Sequence, residues 1–135
     1  MSLNTLEEIA AYIVSEGKGI LAADESNPTC GKRFDSIGVE STENNRRDYR
    51  EMLFRSKGMK GNIGGVILFD ETIRQNAKDG TPLINIIEDQ GALPGIKVDK
   101  GLQPIGDSEE TVTVGLEGLD ERLKEYAAMG AKFTT

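Results

Sequence analysis

Residues Gly19–Ala23, Gly65–Phe69 and Gly95–Val98 are short apolar runs separated by stretches with helical spacing. The middle run, GVILF, places apolar side chains at successive positions instead of alternate ones. Strict alternation marks a strand with one wet face, whereas an unbroken apolar run means that both faces are covered. Short covered strands that alternate with helices pack as a parallel sheet, and their crossovers are right-handed. The expected fold class is therefore α/β.

The helices can be read around these strands. Asn4 is placed to cap a first helix, with Glu7 three residues on and Leu6, Ile9, Ala10 and Ile13 at helical spacing. Asn27 or Thr29 starts a short helix that runs to about Ser36 and closes at Gly38. Thr42 caps a stronger helix over residues 43–56, with Tyr49, Met52 and Leu53 on its apolar face. Gly61–Gly64 reads as a breaker, with Gly61, Gly64 and Gly65 as turn glycines. Asp70 caps a helix from Glu71 to about Lys78. Thr81 caps another, with Pro82 at its first position, where a missing N–H does no harm. A loop rich in Gly, Asp and Ser follows the third strand. Gly118–Met129 is helical along Leu119, Leu123 and Tyr126 or Ala127, and Ala131–Thr135 begins a fourth strand. No linker divides the chain, so residues 1–135 are expected to belong to one domain.

Composition excludes several function classes. The chain has 135 residues and a net charge of −7, with acids and bases mixed along it. A nucleic-acid binder needs a concentrated positive surface, so no nucleic-acid partner is expected, although a local cationic pocket for phosphate remains open. No apolar run approaches the ~20 residues that span a bilayer. The first residues, MSLNTLEEIA, lack the basic and apolar regions of a signal peptide. With a single cysteine, Cys30, the expectation is a reduced, cytoplasmic protein away from membranes. The sequence contains no histidine. That removes Ser/His and Cys/His nucleophile pairs and His-rich zinc sites. Carboxylates, lysines, arginines, hydroxyls and tyrosines remain for chemistry, and neither metal nor cofactor is expected.

The stretch GKGILAADESNPTCGKR (Gly17–Arg33) ends its strand in Asp24 and continues at once with Glu25, Ser26, Thr29, Lys32 and Arg33. An acid at a strand end, then hydroxyls, then cations, is how α/β enzymes present a site for a phosphorylated substrate. Alternation puts Ile20, Ala22 and Asp24 on one face of strand one. It also puts Gly95, Lys97 and Asp99 on one face of strand three. If both faces turn inward, Asp24 and Lys97 converge at the C-terminal rim of the sheet. Such a pair can orient a proton transfer, and it can equally be a structural ion pair. Thr29, Lys32 and Arg33 suit a phosphate at a helix N-terminus, or else form a solvated helix face. Arg46 and Arg50 share a face of the next helix, and surface pairing with Glu43 or Glu51 is expected for Arg50. Cys30 reads as a packing residue, and Tyr12, Tyr49 and Tyr126 as core or core-edge residues.

Three blocks together resemble the class I fructose-bisphosphate aldolases: Gly17–Arg33, GNIGGVILFDETIRQ (Gly61–Gln75) and GIKVDKG (Gly95–Gly101). They occur in that family's order. The resemblance implies a (β/α)8 TIM barrel, represented here by its first three βα units and the start of strand four. It implies a lyase of glycolysis and gluconeogenesis that reversibly cleaves fructose 1,6-bisphosphate to dihydroxyacetone phosphate and glyceraldehyde 3-phosphate. In the family a lysine amine forms a Schiff base with the substrate ketone, and the iminium takes up the electrons of the breaking C–C bond without a metal. Asp24 matches the family's active-site aspartate and Lys97 the lysine of the GIKVDKG block. Thr29 stands where vertebrate relatives have a phosphate-contacting serine. Arg33 and Arg46 match substrate-binding arginines, and Ser26 is a further candidate on the same loop. Intact relatives form homotetramers.

The resemblance stops at GAKF (Gly130–Phe133). The family continues there into a Lys-Trp-Arg block, whereas this chain has Thr134 and Thr135. The strand-four lysine, the later glutamate and the Schiff-base lysine have no counterparts, and a complete barrel needs roughly 250 residues. The expectation is an N-terminal segment of an aldolase that is inactive alone. The alternatives are a non-catalytic interaction partner and a small phosphate-ligand-binding α/β domain.

Overall fold

Residues 3–135 are described by a computed structural model. In chain order the elements are α1 (Leu6–Ile13), β1 (Gly19–Ala23), α2 (Asn27–Asp35), α3 (Glu43–Phe54), β2 (Ile63–Leu68) and α4 (Asp70–Ile73). They continue with α5 (Leu83–Asp89), β3 (Leu93–Ile96), β4 (Leu102–Pro104), β5 (Thr111–Thr113), α6 (Leu119–Met129) and β6 (Phe133–Thr134). Among the described residues, β1, β2, β3 and β6 form a parallel sheet in that order.

The register divides the sheet into two faces. Ala23 pairs with Leu68 and Leu68 with Ile96. These residues and Val66 are fully buried beneath Phe54, Leu83, Ile87 and Tyr126 from the helices. On the other face lie Ile20, Ala22, Gly65, Ile67, Gly95 and Phe133, as alternation requires. The Phe133 ring lies across two glycines there: a Cβ on Gly95 would come within 2.4 Å of it, and one on Gly65 within 3.0 Å. Double covering thus holds for β2 but not for β1, where Ile20 is 47% exposed and Ala22 is also exposed.

Several local expectations are corrected. The first helix is capped by Thr5, one residue later than expected. The Thr5 hydroxyl accepts from Glu8 N–H at 3.1 Å, and the Glu8 carboxylate accepts from Thr5 N–H at 3.1 Å. That reciprocal pair satisfies two otherwise orphaned groups and sets the start. Ser26 precedes α2 without a side-chain cap bond. Thr42 caps α3 as expected, accepting from Asn45 N–H at 3.1 Å. The buried face of α3, however, is Arg46, Arg50 and Phe54, while Met52 is exposed. β2 begins at Ile63, so Gly64 and Gly65 are strand residues. A Cβ on Gly64 would fall 2.5 Å from the Ile13 carbonyl oxygen, so glycine lets α1 close over the strand.

The helix expected up to Lys78 stops at Ile73. The chain then forms a turn closed by the Asn76–Pro82 bridge and by Ala77 N–H to Thr81 O at 2.7 Å. Pro82 sits just ahead of α5 in an extended conformation, not in its first turn. β3 ends at Ile96, yet Lys97 N–H still donates to Leu68 O at 2.9 Å, so the ladder extends to the lysine. The loop after β3 contains an antiparallel hairpin, β4 with β5, in which Leu102 pairs with Thr113 and Pro104 with Thr111. Its strands are exposed on both faces, which leaves no alternating pattern to read.

Candidate active site

Because β1, β2 and β3 are parallel, the residues that follow them gather at one rim. There a cleft of about 580 Å³ is lined by Ser26, Asp70, Lys97, Asp99, Arg122 and Tyr126, among others. Parallel sheets place ligand sites at this rim because the strand ends and their loops converge there. Lys97 is in the cleft, but its cation is taken by Asp99, with Nζ 2.5 Å from Oδ2. The two are i and i+2 along one extended segment, so they share a face. The Lys97 hydrogen bond, helped by Gly101 N–H at 3.0 Å, pulls the Asp99 carboxyl below its ordinary range. Asp24 is half-buried just past β1. Among the described residues its carboxylate has neither an ion pair nor a hydrogen bond, so Lys97 is paired with Asp99 and not with Asp24.

The β1–α2 loop carries the remaining candidates. The Ser26 and Thr29 hydroxyls are 3.0 Å apart. Arg33 donates to Glu25 at 2.6 Å and to the Tyr49 hydroxyl at 3.4 Å, while its side chain stays 57% exposed. Arg46, on α3, faces α4 and the α2–α3 connection. Its Nε and Nη2 reach the two Glu71 carboxylate oxygens at 2.8 Å each, and Nη1 reaches Ser41 O at 2.6 Å. Its guanidinium is therefore committed within the protein. The Arg46 hydrogen bonds, opposed by burial, hold Glu71 below its usual range. The sequence-based candidates thus separate: Ser26 and Lys97 line the cleft, Thr29 and Arg33 stand on α2 outside its lining, and Arg46 ties α3 to α4.

Other residues were not legible as site residues. Arg50 is 1% exposed, against the expected surface pairing. It donates to the Glu25 carbonyl at 2.7 Å and to the Glu25 carboxylate at 3.2 Å, which pins the residue next to Asp24. Arg122 ties α6 to the base of the hairpin, donating to Val98 O at 2.9 Å and Gly115 O at 2.6 Å. Its place beside Leu119, Leu123 and Tyr126 on one helix face was the available signal. The Tyr126 hydroxyl donates to Asp70 at 2.8 Å, and burial foremost raises the phenol's pKa. Cys30 is fully buried, and burial raises its thiol pKa, which makes it a poor nucleophile. Among the described residues, no helix is long and apolar enough to cross a membrane.

Comparison with known proteins gives the arrangement its context. The family model described as "Glycolytic: Fructose-bisphosphate aldolase class-I" matches residues 5–135. A "Probable fructose-bisphosphate aldolase class 1" of Xanthomonas campestris is 53% identical over 134 residues, which cover 98% of this chain and 40% of that protein. "Fructose-bisphosphate aldolase 1" of Toxoplasma gondii is 53% identical over 130 residues, covering 95% of this chain and 36% of the relative. A solved structure of fructose-bisphosphate aldolase from Plasmodium falciparum, in complex with TRAP and a small-molecule inhibitor, superimposes with a TM-score of 0.93. It is 50% identical, and the match covers 96% of this chain and 38% of that one. The chain therefore spans about 40% of the length of the curated relatives it matches, and its four-stranded sheet corresponds to part of a (β/α)8 barrel that the described residues do not close. The family match runs almost end to end, over residues 5–135: the chain belongs to the class-I fructose-bisphosphate aldolase family.

Proposed function

We propose that this chain forms one wall of a site for the reversible cleavage of fructose 1,6-bisphosphate by the Schiff-base route. The observation that carries the reading is the rim of the sheet. There Ser26 and Lys97 line a single cleft, and Asp24, just past the end of β1, carries a carboxylate with no partner among the described residues. A carboxylate without an internal partner is available to a substrate hydroxyl or to proton transfer. Asp24 and Lys97 take the catalytic roles. Ser26, Thr29 and Arg33 offer two hydroxyls and an exposed cation to a phosphate. Arg46 acts in this reading as a positioning residue, because Glu71 and Ser41 already engage its guanidinium. The partner is a phosphorylated sugar, the setting is cytoplasmic, and the assembled form is a homotetramer.

No lysine of these 135 residues matches the Schiff-base position, so the isolated chain has no electron sink for C–C cleavage. It should give no reduced adduct when treated with dihydroxyacetone phosphate and borohydride. The positive test is a hybrid in which residues 1–135 replace the matching segment of the Xanthomonas campestris relative. The hybrid should cleave fructose 1,6-bisphosphate. Asp24→Ala and Lys97→Ala should each lower kcat/KM by at least ~10²-fold, the lower range for a positioned acid–base group. Kinetics in both variants equal to those of the hybrid would remove the two residues from the site.

A further inference from the structure

One wall of the same cleft is left unused by the reading above. Asp70 stands where β2 gives way to α4, and it lines the cleft with Lys97, Asp99 and Tyr126. Its Oδ1 accepts three hydrogen bonds: from the Tyr126 hydroxyl at 2.8 Å, from Arg74 Nη2 at 2.9 Å and from Arg74 Nε at 3.2 Å. Arg74 is itself held by Glu125 at 2.7 Å, and Tyr126 is anchored in the core at 4% exposure. One oxygen of Asp70 therefore fixes the orientation of the carboxylate. Among the described residues, Oδ2 accepts no hydrogen bond, and half of the side chain is open to solvent.

The Arg74 hydrogen bonds lower the Asp70 pKa against the opposing effect of burial, so the group is ionised at neutral pH. An ionised carboxylate can only accept hydrogen bonds. It repels a phosphate and attracts a hydroxyl. A pre-oriented acceptor discriminates well, because a ligand without the matching donor leaves it unpaired. We propose that Asp70 is a specificity-determining residue of the cleft, with its free Oδ2 accepting a hydrogen bond from a hydroxyl on the carbon chain of a sugar bisphosphate. The proposal rests on the sugar-phosphate reading of this cleft.

The test is calorimetric titration of the hybrid described above, in which the cleft has its remaining walls, with two probes that share their phosphates. One is a hexitol 1,6-bisphosphate. The other is the bisphosphate of hexane-1,6-diol, which has no hydroxyl between its ends. The hybrid with Asp70 intact should bind the hexitol probe at least about tenfold more tightly. Asp70→Ala should cut that preference about tenfold, the effect of one hydrogen bond to a charged group, leaving affinity for the diol probe unchanged or higher because a negative charge has been removed. Asp70→Asn preserves size and should narrow the preference at least threefold; circular dichroism confirms that each variant is folded, and Asp70→Asn carries the test if Asp70→Ala is not. A preference that survives undiminished in both folded variants, or equal binding of the two probes with Asp70 intact, overturns the role of Asp70 and leaves the sugar-phosphate reading standing. A hybrid that binds neither probe overturns both.

Discussion

Two arginines grip the same glutamate, and their environments give them different weights. Arg33 meets Glu25 at 2.6 Å but is 57% exposed, whereas Arg50 is 1% exposed and also holds the Glu25 carbonyl. An exposed pair is screened by solvent and contributes little, while removing one partner of a buried pair costs about 3 kcal/mol. Arg50→Met should therefore destabilise the chain clearly more than Arg33→Met, as read from urea unfolding midpoints; equal midpoints would show that the buried contact carries no extra weight. Glu71 supplies a pH prediction. Its folded pKa is depressed below the ordinary 4.5, chiefly by Arg46. The stabilisation it gives is fully present above the unfolded value and is lost as pH falls from there through the lower folded value. The unfolding midpoint should drop across that acid window in the wild type and drop less in Glu71→Gln. At this scale the sequence revealed the end of β1, with Asp24 just past it, and the two-residue period put Lys97 and Asp99 on one face. It did not reveal partners. Whether Lys97 would meet Asp24 or Asp99, and whether Arg50 would face water or Glu25, depends on how a helix or loop is rotated against its neighbours.

Glycines show how elements close on one another. At Gly64 the missing Cβ makes room for the end of α1, whose Ile13 carbonyl oxygen would lie 2.5 Å from such an atom. At Gly95 it makes room for the Phe133 ring of β6, where the clash would be at 2.4 Å. The first obstacle is backbone and the second a ring packed on a strand, so neither can yield cheaply. Gly64→Ala and Gly95→Ala should each cost about 1–3 kcal/mol, the range for overpacking. They should also differ in place: hydrogen exchange should quicken in α1 for Gly64→Ala and in β6 for Gly95→Ala. Uniform quickening through the sheet in both variants would count against these separate contacts. Element types were largely legible, since β1 occupies the residues that its apolar run marks and Thr42 caps α3 as its hydroxyl suggests. Two features were not. Gly64-Gly65 resembles a turn in composition, and only the neighbouring α1 shows why a strand needs glycine there. The β4–β5 hairpin packs no face against the core, so its hydrogen bonds leave no hydrophobic signature.

At the scale of the whole molecule, the sheet has one well-filled side and one that is filled unevenly. Helices bury Val66, Leu68 and Ile96 completely, while on the opposite face Ile20 remains 47% exposed beside Ala22. Among the described residues, β1 pairs only with β2, so its other edge presents unpaired backbone N–H and C=O groups. An open parallel edge next to exposed apolar side chains is a template for another chain. The chain should therefore self-associate through β1, and its sedimentation should shift to larger species with increasing concentration. The buried core and the capped helices should persist, giving helical circular dichroism with a broad melt. Ile20→Lys places a charge on this edge and removes apolar surface without touching the packed face, so it should move the distribution toward monomer while the circular dichroism stays the same. A wild-type chain that sediments as a monomer at all concentrations and melts in one sharp transition would mean that the β1 edge is harmless. The chain would then behave as a self-sufficient α/β domain.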